Sequence, residues 1–163
     1  YTGGDNTNIL TVLSLSKHSS MAGYRAAFIV GDPVLIARIL EVRKHAGMMV
    51  PLPVQHAMIA ALSDEKHVTE QRARYNARRA TLTPALTAAG FTIEHSEAGL
   101  YIWATRNENY WDSISWLAER GVIATPGIFY GEGGASHVRI ALTATDAQIA
   151  EAAERINSKV GAP

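Results

Sequence analysis

The sequence predicts a mixed α/β chain, in which the edge of an α/β sheet is followed by a compact α+β unit. Three observations predict it. Apolar, partly β-branched runs at residues 9–16 and 26–30 suit two strands. From Ser63 to Gly90 a polar segment carries Val68, Tyr75, Leu82, Leu86 and Ala89 at helical spacing. Beyond it, short strand-like runs and short helical stripes are mixed to the end of the 163 residues, which is an α+β pattern.

Each element follows from its residues. Asp32 is a good N-cap and Pro33 suits the first helical position. Leu35, Ile39 and Val42 then share a face, so a helix is expected to about His45, with Arg43, Lys44 and His45 at its favourable end and Gly47 stopping it. Met48 to Pro53 reads as a packed connector, and Val54 to Leu62 as a short buried helix rich in alanine. In the long helix Arg72, Arg74, Arg78 and Arg79 read as a solvated face, because Asp64, Glu65 and Glu70 share the segment. Pro84 should bend or divide it.

Phe91–His95 and Leu100–Thr105 read as strands joined at Glu97-Ala98-Gly99. Asn109 can cap a helix with Trp111, Ile114 and Leu117 turned inward and Gly121 at its end. Val122–Thr125 reads as a short strand, followed by an irregular loop around Ile128-Phe129-Tyr130 and a strand over His137–Leu142. Thr145 and Gln148 form a capping box, and Ile149, Ala152, Ala153 and Ile156 give the last helix its apolar face. The tail from Lys159 carries no strong signal.

A formal net charge of zero argues against nucleic acid or an anionic membrane surface as the main partner. There is no long apolar run, and no signal peptide is expected. The absence of cysteine excludes disulfides and cysteine-ligated metals and fits a cytoplasmic enzyme. The six histidines show no metal-ligand spacing, so no metal is expected.

The chemistry concentrates at Ser14-Leu15-Ser16-Lys17 and Gly23-Tyr24-Arg25. A lysine leaving a buried strand is poorly hydrated, which favours its neutral, nucleophilic amine. Arg25, eight residues on, can hold a dianionic phosphate in two-point contact, and Ser14 and Ser16 add hydroxyl donors. A Schiff base beside a fixed phosphate is what pyridoxal 5'-phosphate requires. Taken alone, one lysine and one arginine after a strand read as solvated loop charges. His18 reads as a solvated or hydrogen-bonded histidine rather than a second base. Arg139 lies in an apolar strand, where a structural salt bridge and a carboxylate clamp are both open.

The order and spacing of Ser-x-Ser-Lys, Gly-Tyr-Arg, Gly31-Asp32-Pro33, Ala98-Gly99-Leu100-Tyr101, Pro126-Gly127 and His137-Val138-Arg139-Ile140-Ala141-Leu142 resemble the class I/II, fold-type I aminotransferases. The resemblance runs to the end of the chain. It departs from the family at Ala27, where many relatives have glycine. The resemblance implies that residues 1–62 close the large cofactor domain, 63–90 form the interdomain helix and 91–163 form the small C-terminal domain. It also implies a larger parent protein whose N-terminal half is missing here, a homodimer when complete, and exposed apolar surface on this portion alone. Lys17 would be the catalytic lysine, Ser14, Ser16 and Arg25 phosphate ligands, and Arg139 the clamp on the substrate carboxylate. Phe129 and Tyr130 would wall the pocket.

The implied reaction is reversible transamination between an amino acid, with glutamate as donor, and an oxo acid. Ser-Leu-Ser-Lys with Ala-Gly-Tyr-Arg-Ala-Ala-Phe is most similar to actinobacterial N-succinyldiaminopimelate aminotransferases, which implies exchange between N-succinyl-LL-diaminopimelate and 2-oxoglutarate in lysine and diaminopimelate synthesis. An aspartate- or aromatic-type aminotransferase, a carbon–sulfur β-lyase and an aminotransferase-like regulatory domain are the alternatives. The isolated chain is expected to be inactive.

Overall fold

The computed structural model describes residues 4–158. The chain divides into two compact units, Tyr1–Thr69 and Glu70–Pro163.

The first unit opens with a hairpin. Strand β1 (Leu10–Ser14) pairs antiparallel with β2 (Ala27–Gly31), with Ser14 opposite Ala27 and Leu10 opposite Gly31. The strand expected to run to residue 16 stops at Ser14, whose hydroxyl accepts from the Ser16 N–H and caps the single-turn helix α1 (Leu15–His18). Lys17 therefore sits on a helical turn rather than in a loop. Helix α2 (Pro33–His45) has the expected bounds. Its cap, Asp32, accepts from the N–H groups of Val34 (2.7 Å) and Leu35 (3.2 Å), while its other oxygen takes the Asn8 N–H at 2.8 Å.

Asp32 thus joins the helix to the chain preceding β1. The Asn8 N–H, aided by Leu35 and Val34, holds its carboxyl below the usual 3.8. A carboxyl with a lowered folded pKa contributes stability that is present above its unfolded value and lost as pH falls through the folded one. Asp32→Asn keeps an oxygen for the cap and loses the charge. Between about pH 5 and pH 2 the variant should lose less stability than the parent chain in denaturant titrations.

Helix α3 (Leu52–Leu62) begins two residues before its expected start, because Pro53 fits the first turn and Gln55 donates to the Val50 carbonyl. It is not a buried helix. None of its residues is buried, and Ile59 is 61% exposed. Among the described residues, the buried apolar ones of this unit are Leu15, Met21 and Ala26. Helix α4 (Lys66–Ala88) starts where Asp64 accepts from the Lys66 N–H at 2.9 Å, and it runs through Pro84 undivided. Arg72 and Arg74 are exposed as expected. Arg78 is not solvated: it pairs with Asp146 at 2.5 Å and donates to the Leu142 carbonyl at 2.9 Å. Arg79 donates to the Gly99 carbonyl.

The second unit is an antiparallel sheet in the order β3-β4-β6-β5. Its strands are β3 (Thr92–Glu94), β4 (Tyr101–Thr105), β5 (Thr125–Pro126) and β6 (His137–Ala141). Val122–Ala124, expected as strand, joins no described strand: the Val122 N–H donates to the Leu117 carbonyl, and Ile123 is 93% exposed. Ile102, Ala104, Val138 and Ile140 turn one sheet face into a core shared with Leu82 and Leu86 of α4, Leu117 of α5 (Tyr110–Ala118) and Ile149 and Ile156 of α6 (Asp146–Asn157). Asn109 caps α5 and the Thr145–Gln148 box caps α6, both as expected. Trp111 is exposed rather than inward. Trp116 takes its place against the core, edge-on to Phe91 at 5.8 Å. The tail from Lys159 lies outside the described residues.

Period-two alternation decides what the other sheet face carries. With Ile102, Ala104, Val138 and Ile140 inside, that face presents Tyr101, Trp103, His137 and Arg139.

Candidate active site

The lysine turn is held by its backbone. Leu15 N–H donates to the Ala26 carbonyl (3.1 Å), Met21 N–H to the Leu15 carbonyl (3.2 Å), and Leu15 and Ala26 are sealed from solvent. These bonds bring Ser14, Ser16 and Lys17 to the same end of the hairpin as Arg25. Arg25 takes a left-handed backbone conformation (φ 53°, ψ 39°) at the end of the turn Ala22–Tyr24, and one of its Nη atoms donates to the Ala22 carbonyl at 3.0 Å.

The functional ends of these side chains are uncommitted. Lys17 Nζ has no partner among the described residues, and the other guanidinium N–H groups of Arg25 are free. Ser14 Oγ accepts one bond and retains its own proton to donate. Lys17 and Arg25 are exposed in this chain, which corrects the expectation of a desolvated lysine. The strand before Lys17 is open on its sides, with Val12 65% exposed. His18 bonds to the Ser19 hydroxyl at 2.9 Å, as a hydrogen-bonded histidine should. An amine, a guanidinium and hydroxyl donors on one backbone-fixed turn fit a phosphorylated aldehyde such as pyridoxal 5'-phosphate.

Arg139 stands on β6 in the second unit. No carboxylate lies within ion-pair distance among the described residues. The guanidinium carbon instead lies 4.1 Å from the centre of the Tyr101 ring and 5.1 Å from that of Tyr130. Its one side-chain hydrogen bond is a long one to Thr125 Oγ1, at 3.4 Å, and its Nε is buried without a partner. Arg79 and Arg120 also have an unpaired Nε, but both commit the guanidinium to a backbone carbonyl. A buried donor left unpaired is costly. Arg139 faces an open cavity of about 350 Å³ with Tyr101, Trp103 and Tyr130 in its wall.

Sequence reasoning singled out Arg139 and Tyr130 but missed Tyr101, Trp103 and Thr125. The signal was the alternation along β4, together with the β4–β6 register that sets Trp103 opposite Arg139. Phe129 does not line this cavity and is 73% exposed. The turn carrying it is fixed by close backbone crossing. A Cβ on Gly127 would meet the Gly134 and His137 carbonyls and, at 2.9 Å, Trp103 Cη2, and a Cβ on Gly134 would strike the Gly127 carbonyl. Gly134→Ala is expected to destabilise the protein by about 1–3 kcal/mol, the usual range for overpacking, measured by chemical denaturation.

Among the described residues no group of three or more His, Cys, Asp or Glu is placed to hold a metal, and no helix is long and apolar enough to cross a membrane.

The chain thus carries an unpaired amine at Lys17 on one turn and, in its other unit, a guanidinium at Arg139 beside an aromatic cleft. Comparison with known proteins makes the assignment: a model of the aminotransferase class I and II family matches residues 2–156, and the chain belongs to that family. It is 61% identical over 153 residues to a protein of Mycobacterium tuberculosis named as a probable aminotransferase, covering 94% of this chain and 37% of that protein. It is 56% identical over 154 residues to the 4-dedimethylamino-4-oxo-anhydrotetracycline transaminase of Streptomyces rimosus, covering 94% of this chain and 43% of that one. Among solved structures, a probable N-succinyldiaminopimelate aminotransferase from Thermus thermophilus superposes with a TM-score of 0.79 at 28% identity, covering 94% of this chain and 42% of the other. The chain thus spans about two fifths of the length of the relatives it matches.

Proposed function

We propose that the complete protein containing this chain is a pyridoxal 5'-phosphate-dependent aminotransferase that moves an amino group between an amino acid and an oxo acid. The observation that carries the reading is the pair of uncommitted cations: Lys17 on its backbone-fixed turn, and Arg139 between two tyrosines with no carboxylate partner. When bound, the cofactor supplies an aldehyde that condenses with amines and a ring that accepts the electron pair left by a broken Cα–H bond. Ser14, Ser16 and Arg25 hold the phosphate through hydroxyl and guanidinium donors. Lys17 would hold the aldehyde carbon and, once free, would carry the proton between the substrate α-carbon and the cofactor's C4′ carbon, in opposite directions in the two halves of the cycle. Arg139 fixes the substrate carboxylate by two-point contact and so aims the Cα–H bond. Tyr130 walls the pocket beside Arg139. Residues 1–62, 63–90 and 91–163 act as the end of the cofactor domain, the interdomain helix and the small domain, and the complete protein works as a cytoplasmic homodimer.

For the substrate, N-succinyl-LL-diaminopimelate with 2-oxoglutarate is the first choice. The sequence motif of the lysine turn and the likeness to the Thermus thermophilus structure support it. The Streptomyces rimosus relative favours a second reading, a bulkier cyclic oxo acceptor with the same amino donor. Coupled assays of the complete protein with both acceptor classes separate them. Exchange with glutamate on the cyclic ketone alone would remove the first reading. The cofactor site has its own test. Borohydride reduction with added pyridoxal phosphate, followed by peptide mass spectrometry, should give one phosphopyridoxyl group, on Lys17. Modification scattered over surface lysines would count against the site.

A further inference from the structure

We propose that Trp103 is a positioning residue for Arg139, holding Tyr130, one of the two aromatic walls of the guanidinium, in place; this rests on Arg139 acting as the carboxylate clamp. Trp103 lies opposite Arg139 across β4 and β6 and opposite Glu94 across β3 and β4. It is therefore central on the sheet face that carries the clamp. Its indole meets the Tyr130 ring edge-on, with centroids 5.9 Å apart and an interplanar angle of 82°. It also lies against Gly127, where no side chain could fit, at the start of the turn that carries Tyr130.

The indole is itself fixed. His137 stacks flat on it at 5.0 Å and 11°, and His137 is held by Glu94 at 3.1 Å and Ser136 at 3.2 Å. A line of contacts therefore runs from Glu94 through His137, Trp103 and Tyr130 to Arg139. Tyr130 needs such a support. It is 55% exposed and precedes Gly131, which has φ 116°. An exposed ring next to a glycine has several rotamers open to it, and a guanidinium with one mobile wall has no single orientation for a two-point contact. Trp103 acts through Tyr130 on the direction of the Arg139 fork.

The test is steady-state kinetics of the complete holoenzyme with an amino donor and with the same donor as its α-carboxamide. Trp103→Ala should raise KM for the carboxylate by roughly tenfold, the scale of a lost aromatic pair, with kcat changed by less than about twofold. KM for the carboxamide should not move, and Trp103→Phe should restore most of the loss. In an Arg139→Ala background the Trp103→Ala effect should vanish, since a double-mutant cycle isolates the coupling. Should Trp103→Ala fail to fold, Tyr130→Ala, at an exposed position, should give the same carboxylate-specific rise. Equal losses on carboxylate and carboxamide, or an undiminished effect without Arg139, would overturn the positioning role. If Arg139→Ala itself leaves the preference for carboxylate over carboxamide intact, the clamp reading fails, and the positioning role fails with it.

Discussion

Lys17→Ala in the complete protein is expected to lower turnover by more than about a thousandfold, because the proposed function makes Lys17 both the covalent nucleophile and the acid–base group. Kinetics of amino-group exchange measure the loss, and mass spectrometry after borohydride reduction should find no modified peptide at residues 14–25. The change should not act through folding. Lys17 is exposed and has no partner among the described residues, and α1 is held by Ser14, Leu15 and Ala26. Truncating such a side chain alters stability by about 0.5 kcal/mol or less. Lys17→Arg should be equally inactive, since a guanidinium keeps the charge but cannot deprotonate at working pH. Turnover near that of the parent enzyme in either variant would end the assignment of Lys17.

Arg139→Ala should lower kcat/KM for carboxylate substrates by about 10²–10⁴-fold, the range expected from two charged hydrogen bonds of roughly 1.5–3 kcal/mol each. The lost cation–π contacts with Tyr101 and Tyr130 affect the free enzyme too, by about 0.5–2 kcal/mol at a half-buried site. A comparison of denaturation midpoints separates that part. Arg139→Lys is not a conservative change at this position. An ammonium cannot span two carboxylate oxygens and stacks less well between rings, so the variant should stay well below the parent enzyme. Unchanged kcat/KM in Arg139→Ala would assign the cavity beside Tyr101 and Tyr130 to something other than the substrate carboxylate.

What was legible in the sequence was local chemistry. Asp32-Pro33 and Thr145 with Gln148 gave helix starts because caps involve residues two or three positions apart. The lysine turn was legible as a motif, and the structure adds that Ser14 doubles as its cap. Partners distant in the chain were not legible. Arg78 looked solvated because its acid, Asp146, lies 68 residues away. Trp111 and Trp116 compete for one inward place, and the stripe Trp111–Ile114–Leu117 gave no means to prefer Trp116, whose ring also lies against Arg106 and Arg120. The burial of α3 was misread because apolar composition reports what a segment needs, not what surrounds it. The site around Arg139 depended on strand register, which pairs Trp103 with Arg139 across 36 positions of sequence.

The unequal burial of the two units has a kinetic consequence. The second unit closes fourteen residues, from Leu82 to Ile156, into one continuous core, whereas the first buries little beyond Leu15, Met21 and Ala26. Local opening should therefore be graded along the chain. In hydrogen exchange, amides of β4 and β6 should report the slowest, global opening, while those of β1, β2 and α3 exchange through smaller and more frequent fluctuations. The lysine turn would then belong to the less protected part of this chain, and the arginine cleft to the more protected part.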